Sequence, residues 1–382
     1  MSPVVMGSEF VYRCAACGRS VDADEPVWRC DCGGLLELGP PAAFDRSLID
    51  TSEHGFWRYA AALPRLYRDE RIRLGDRLTP IVETDLYGRR VHLKLDYLLP
   101  TGSYKDRGAS VLMASLRRLG ITDVMDDSSG NAGAAAAAYA AAAGMKCTIY
   151  VPAGNSQPKL AQIAAYGAHL VTIAGSRAAV ADAVVMKSRT EFYASHVWHP
   201  LYPAGVATLG YELWEQLGYQ APRAVVVPAG QGSLVLGLSR AFEALLKGGA
   251  IEAPPAIVAV QSQAFPALTQ AFDGGTNAAS GANTLRTTVA EGIACERPAR
   301  LEAVVAALRA SKGRALTVSD DDIQNAFITL SRKGFYVEPT SAVAAAGFKE
   351  ADLDGTSGVI VVVLTGSGLK SWKPPTGWDA RD

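Results

Sequence analysis

Short β-branched apolar runs recur along this chain with segments of helical length between them, and few architectures accommodate that rhythm. Candidate strands lie at Val91–Leu95, Cys147–Val151, His169–Ile173, Ala224–Val227, Ile257–Val260 and Val359–Leu364. Helical patterns occupy Lys105–Leu119, Asn131–Ala143, Lys159–Tyr166, Gly205–Leu217, Leu234–Leu245, Asp320–Ser331 and Ser341–Glu350. Strands separated by helices of this length imply right-handed crossovers and parallel pairing. The expected fold is α/β, with open, largely parallel sheets. In such sheets ligands gather beyond the carboxyl ends of strands, where a turn enters a helix N-terminus.

A length of 382 residues allows two domains and a small appendage. Hydrophobic residues make up 49% and charged residues 20%, which suits a globular chain with a large core. Thirty-seven basic residues against thirty-eight acidic ones leave a net charge of −1. That balance argues against nucleic acid, whose binding needs clustered cations. The weakly polar run Ala132–Met145 is broken by Gly133 and Gly144 and is shorter than the roughly 20 residues a bilayer requires, so no membrane association is expected. No basic region followed by an apolar one opens the chain, and the expected location is the cytoplasm.

Four of the six cysteines crowd into residues 14–32, as Cys14-x2-Cys17 and Cys30-x-Cys32 followed by Gly33-Gly34. Such use of cysteine favours a reducing compartment and a metal knuckle over a disulfide scaffold. Four thiolates can hold Zn²⁺ tetrahedrally, and four ligands leave no open position for catalysis, so the role is structural. The second pair is one residue tighter than usual, and a metal-free ribbon is the alternative. Residues 1–40 therefore stand apart as a small zinc-ribbon-like segment. Gly274–Gly281 reads as a surface loop.

Four turns combine residues that can do chemistry. In Pro100-Thr101-Gly102-Ser103-Tyr104-Lys105-Asp106-Arg107-Gly108 a lysine sits in the first turn of a helix. Most lysines are merely solvated, but helix-terminal amides disfavour the ammonium form, and the neutral amine is the nucleophile. Asp127-Ser128-Ser129-Gly130-Asn131-Ala132-Gly133 could admit an anion to its backbone amides, or could be an ordinary helix cap. Val227-Pro228-Ala229-Gly230-Gln231-Gly232-Ser233-Leu234 has the strand, glycine-rich loop and helix that cradle a phosphate group. It matches neither the dinucleotide fingerprint nor the P-loop. Leu364-Thr365-Gly366-Ser367-Gly368-Leu369-Lys370 either offers a hydroxyl to a buried ring nitrogen or simply ends the last strand.

Together these turns resemble the pyridoxal-phosphate enzymes of the tryptophan-synthase-β fold (fold type II), and among them the threonine synthases most. The lysine motif PTGSYKDRG, then SSGNAG, PAGQGS, Val337-Glu338-Pro339-Thr340-Ser341-Ala342 and LTGSGLK follow the family's order between about residues 80 and 370. The resemblance implies a large cofactor-binding domain from residues 41–111 and 200–382, and a small α/β domain from 112–199. It implies that Lys105 holds pyridoxal 5′-phosphate covalently and that Asn131 meets the ring's 3-oxygen. Gly230, Gln231, Gly232, Ser233 and Leu234 would bind the phosphate through their amides, and Thr365 would meet the ring nitrogen. Ser128, Ser129, Gly130 and Asn131 would receive the substrate's α-carboxylate. Lys105 would then take the Cα proton, the cofactor stabilising the carbanion. A neutral Thr365 leaves the ring nitrogen largely unprotonated, which discourages transamination and suits loss of a β- or γ-leaving group. A small amino-acid substrate and a homodimer are further implications.

Two positions depart from the threonine-synthase pattern. In His199-Pro200-Leu201-Tyr202-Pro203-Ala204-Gly205-Val206-Ala207-Thr208, Tyr202 stands at the position of an arginine expected to grip a substrate phosphate. A tyrosine cannot supply a charged bidentate clamp. The segment Ala290-Glu291-Gly292-Ile293-Ala294 looks more like that of threonine dehydratases. The expected activity is elimination or replacement on a small α-amino acid, with O-phospho-L-homoserine to L-threonine as the first reading. The alternative is β-replacement or ammonia-lyase action on a serine- or threonine-like substrate, where Tyr202 faces a hydroxyl or a short side chain. If a phosphate is bound, Arg107, Lys159, His196 or His199 must supply the charge. A nicotinamide-dependent oxidoreductase would share the strand–helix rhythm but lacks its fingerprint, and a zinc-ribbon binding module would leave most of the chain unexplained.

Overall fold

The computed structural model describes residues 11–63, 66, 69–153, 157–175, 177–274, 286–351 and 358–370. Three short strands, β1 (Val11–Cys14), β2 (Ser20–Asp22) and β3 (Leu36–Leu38), form an antiparallel sheet in the order β2-β1-β3. A hairpin follows, β4 (Ile81–Leu86) and β5 (Arg89–Leu95), turned by Tyr87 and Gly88 at φ 57° and 74°. Positive φ at both turn residues matches the right-handed twist of the flanking strands.

Helix α1 (Lys105–Arg118) leads into β6 (Asp123–Asp126), α2 (Asn131–Ala142), β7 (Lys146–Pro152), α3 (Gln157–Ala165), β8 (His169–Ile173), α4 (Arg177–Lys187) and β9 (Phe192–Tyr193). These strands pair in parallel in the order β8-β7-β6-β9. The chain continues through α5 (Leu201–Val206), α6 (Thr208–Gln216), β10 (Ala224–Pro228), α7 (Ser233–Lys247), β11 (Ala256–Ser262) and α8 (Ala267–Phe272). It closes with α9 (Leu301–Ala310), β12 (Arg314–Val318), α10 (Asp320–Arg332), α11 (Pro339–Glu350) and β13 (Ile360–Leu364). The resulting six-stranded sheet runs β12-β11-β10-β13-β5-β4, parallel except for β4. The architecture is thus α/β with largely parallel sheets.

Burial on both faces explains the unbroken apolar strands. Val225, Val227, Val361 and Val363 enter one core, while Ala224, Val226, Val362 and Leu364 enter another. The helix expected at Gly205–Leu217 is instead two helices, α5 from Leu201 and α6, meeting at Ala207. Pro203 does not prevent α5 from starting earlier, because the first turn needs no backbone donor. Apart from Gly274, the loop expected at Gly274–Gly281 lies outside the described residues. Among the described residues, no helix is long and apolar enough to cross a membrane.

Candidate active site

The lysine motif is tied to two other turns through its backbone and side chains. Tyr104 donates its amide to the Thr365 carbonyl at 3.0 Å, and Ser103 bridges to Gly366. The Tyr104 and Ser233 hydroxyls lie 3.0 Å apart, joining the motif to the first residue of α7. Lys105 opens α1, with its Nζ 4.6 Å from the Tyr104 ring centroid and 5.8 Å from that of Tyr202. The turn at Asn131 joins through Glu338: Asn131 Nδ2 donates to Glu338 Oε1 at 2.7 Å, and the Glu338 amide donates to the Gly366 carbonyl. All four turns therefore meet.

Three buried polar atoms at this meeting point, Ser103 Oγ, Asn131 Oδ1 and Thr365 Oγ1, have no hydrogen-bond partner among the described residues. Leaving such atoms unpaired costs about 1–3 kcal/mol each. The glycine-rich loop enters α7 through Gly232 at φ 82°, and the first amides of α7 have no intrahelical acceptor. An amine, orphaned hydroxyl and amide oxygens, and a helix N-terminus behind glycines fit a polar aromatic ring with an aldehyde and a phosphate arm. Ser341 Oγ accepts from the Thr365 amide at 2.8 Å and fixes that turn. On the other side, Ser128 is buried and its Oγ accepts from the Gly130 amide at 3.3 Å, shaping the loop into α2.

Each cation proposed for a substrate phosphate already has a partner or is neutral. Arg107 is fully buried, donating to Asp96 Oδ1 and Glu212 Oε2, each at 2.8 Å. Burial opposes its charge, but these two carboxylates raise its pKa further. Glu212, despite burial, is held down at about 2 by Arg107 and Lys94. Lys159 Nζ lies 3.4 Å from Glu338 Oε2. His199 is buried beside Arg300; burial first, and then that charge, hold its imidazole down at about 3 and hence neutral. His196 Nδ1 is 3.2 Å from Asp126 Oδ2. Tyr202 is 2% exposed, and its hydroxyl donates to the Lys105 carbonyl at 3.0 Å. It braces the lysine's backbone.

Two further residues at the site, Glu338 and Lys370, carry no individual signal in the sequence. Glu338 precedes Pro339 at the start of α11, an ordinary cap position, yet its side chain caps nothing and turns to Asn131 and Lys159. An acid at an N-cap position is too common a pattern to reveal that. Lys370 donates to the Thr101 carbonyl at 2.8 Å, and burial holds its amine down at about 8. Asp106, also buried, accepts from the Thr101 amide and hydroxyl, and burial raises it to about 7.

The cysteine cluster lies apart. Cys14 and Cys32 sulfurs are 3.5 Å apart, Cys17 and Cys30 sulfurs 3.7 Å, and all four lie within 4.8 Å of one another. A hydrogen bond from the Cys17 backbone helps hold the Cys14 thiol down at about 6.

Residues 72–366 match the family described as pyridoxal-phosphate dependent enzyme. Threonine synthase of Methanocaldococcus jannaschii is 31% identical over 383 aligned positions, covering 94% of this chain and 93% of that protein. Threonine synthase of Methanosarcina acetivorans is 29% identical, covering 94% and 91%. Among solved structures, a threonine deaminase from T.th. is 26% identical with a TM-score of 0.63, covering 76% of this chain and 92% of that one. An O-ureido-L-serine synthase, 20% identical with a TM-score of 0.65 over 80% and 94%, shares the fold.

Proposed function

The chain belongs to the pyridoxal-phosphate dependent enzymes, as a threonine-synthase-like lyase, and from that membership we propose that it eliminates water from a small serine- or threonine-like amino acid. The observation that carries the substrate choice is the commitment of the cations. Arg107 is locked between two buried carboxylates, and Tyr202 spends its hydroxyl on the Lys105 carbonyl. A phosphate dianion in a water-poor site needs charge-assisted donors, and here it would compete with fixed carboxylates for each one.

In this reading Lys105 holds pyridoxal phosphate, which when bound supplies an electron sink for charge left at Cα. Thr365 would meet the ring nitrogen, Asn131 the 3-oxygen, and the amides of Gly230, Gln231, Gly232, Ser233 and Leu234 the phosphate. Ser128, Ser129, Gly130 and Asn131 would orient the substrate carboxylate so that the Cα proton faces Lys105 Nζ, the base. Residues 112–199 would form the small domain against 41–111 with 200–382, and this site would lie between the two. Tyr202 would fix Lys105 from behind and shape the side-chain pocket.

The test is a panel of L-serine, L-threonine and O-phospho-L-homoserine scored for ammonia, keto acid and phosphate. Ammonia with keto acid supports the reading; phosphate with threonine would replace it with threonine synthase, the name its relatives carry. Borohydride reduction and peptide mapping should place the cofactor on Lys105.

We also propose that Cys14, Cys17, Cys30 and Cys32 hold one structural Zn²⁺. The support is the mutual closeness of four thiols, which suits tetrahedral coordination. Elemental analysis of protein never exposed to chelator should return about one equivalent.

A further inference from the structure

Asp126 is the last residue of β6, and His196 follows the neighbouring parallel strand β9 by three residues. Both therefore lie at the carboxyl edge of the small sheet, where α/β sheets bind ligands. Asp126 is 1% exposed and begins the turn that passes through Ser128 to Asn131. His196 is 8% exposed, and its Nδ1 sits 3.2 and 3.3 Å from the two Asp126 oxygens. A carboxylate at Nδ1 fixes that nitrogen as the N–H donor and leaves Nε2 to exchange a proton elsewhere. The His196 ring is 6.0 Å from the Tyr202 ring, and Lys105 Nζ is 5.8 Å from that same ring. The imidazole thus shares a neighbour with the base at Cα and stands beside the carboxylate-binding turn. His199, three residues on, is different in kind: it is neutral, and its Nδ1 accepts from the Leu201 amide.

We propose that His196, oriented by Asp126, is the proton donor to the departing substrate oxygen. The inference rests on the dehydrating lyase reading, because hydroxide is a poor leaving group and phosphate is not. The protonated ring is the acid. The Cβ–O bond breaks and its electron pair leaves with oxygen, which takes the Nε2 proton and departs as water. The imidazole is left neutral and is reprotonated from solvent. Lys105 has separately taken the Cα proton. Asp126 is the positioning residue, holding Nδ1 so that Nε2 is left to carry the donated proton.

The experiment compares two leaving groups in the holoenzyme: hydroxide from L-serine, which needs a proton, and chloride from β-chloro-L-alanine, which does not. His196→Gln should lower kcat/KM for serine about 100-fold while leaving β-chloroalanine within about 3-fold, and Asp126→Asn should show the same selectivity more mildly. Exchange of the Cα proton with deuterated solvent should persist in His196→Gln. In cofactor-free protein at alkaline pH, 15N NMR of the five histidines should show one ring carrying its proton on Nδ1, a signal lost in His196→Gln and changed in Asp126→Asn. Equal losses for both substrates would mean a structural role and overturn the proposal, as would undiminished serine turnover in His196→Gln. Asp127 completes a trio with Asp126 and His196 whose ligand atoms lie within 4.8 Å of one another. A second equivalent of metal, lost in Asp126→Asn, would reassign the trio and overturn it too. Wild-type enzyme that dehydrates neither serine nor threonine would instead defeat the dehydrating reading itself, and this proposal with it.

Discussion

Arg107 lies one residue beyond Asp106 and two beyond Lys105, and it carries a fixed charge that no ligand can borrow. Its guanidinium fills the gap between Asp96 and Glu212, with Lys94 Nζ 2.5 Å from the same glutamate. Removing one partner of a buried ion pair leaves the others uncompensated and costs about 3–5 kcal/mol. Arg107→Ala should therefore lower the unfolding free energy by that amount, measured by chemical denaturation. Tyr202→Phe removes one hydrogen bond to the Lys105 carbonyl and should cost about 1 kcal/mol, with slower turnover because the lysine backbone is less well held. Asp106 gives a pH prediction of the opposite kind to an ordinary ion-paired carboxylate. Burial raises it from 3.8 to about 7, so its contribution is complete below its ordinary value and is lost as pH rises through about 7. Asp106→Asn cannot ionise. The stability difference between wild type and this variant should move in the variant's favour between roughly pH 4 and 7, as thermal melts across that range would show.

Helices and strands of this chain differ in how openly their residues declare them. Doubly buried parallel strands such as β10 (AVVVP) and β13 (IVVVL) are unmistakable, because both faces select apolar β-branched residues. Edge strand β4 (IVETDL) is half polar and owes its place to the Tyr87-Gly88 turn, and the ribbon strands have only three or four residues. Neither kind offers a period long enough to read. Helices α4 and α9 and strand β12 were likewise not among the expected elements. Joints between helices are hidden for another reason: they depend on the surface the helix meets. Gly205 lies where a Cβ would overlap the Arg107 carbonyl oxygen, so α5 rests directly on α1. Gly205→Ala should force the two apart and destabilise by about 1–3 kcal/mol or more, visible as a fall in Tm. Helix α10 provides a milder check. Ser319 and Asp322 cap each other's amides, and Ser319→Ala should cost about 1 kcal/mol in the same measurement.

Across the whole molecule, the four turns that the structure brings together were legible because each is short and made of residues that do little else. The charges were not: whether Arg107, Lys159 or Lys370 is available depends on carboxylates far away along the chain, which local spacing does not encode. The ribbon is the other long-range feature. Trp28 packs edge-on against Tyr193 at 4.9 Å and Trp198 at 5.7 Å. Arg300, 7% exposed, donates to the carbonyls of Leu36 in the ribbon and of Val197 and Trp198 beside His196. Replacing Cys14 and Cys17 with Ser should therefore lower Tm by roughly 5 °C or more while pyridoxal phosphate stays bound, since the ribbon supplies none of the four turns. Amino-acid affinity should weaken at the same time, because the 197–199 segment loses its support, and a binding titration would detect it.

The Arg300 contacts also bear on how such chains can be recombined. A crossover near residue 40 looks harmless on paper, since the ribbon is a separate sheet with its own cysteines. Yet one buried cation stitches Leu36 to Val197 and Trp198, so a ribbon taken from another relative brings a carbonyl into contact with an arginine it was not selected beside. Functional chimeras should be those in which the ribbon, the 195–202 segment and position 300 come from the same parent. These three stretches, far apart in the gene, are inherited as one part.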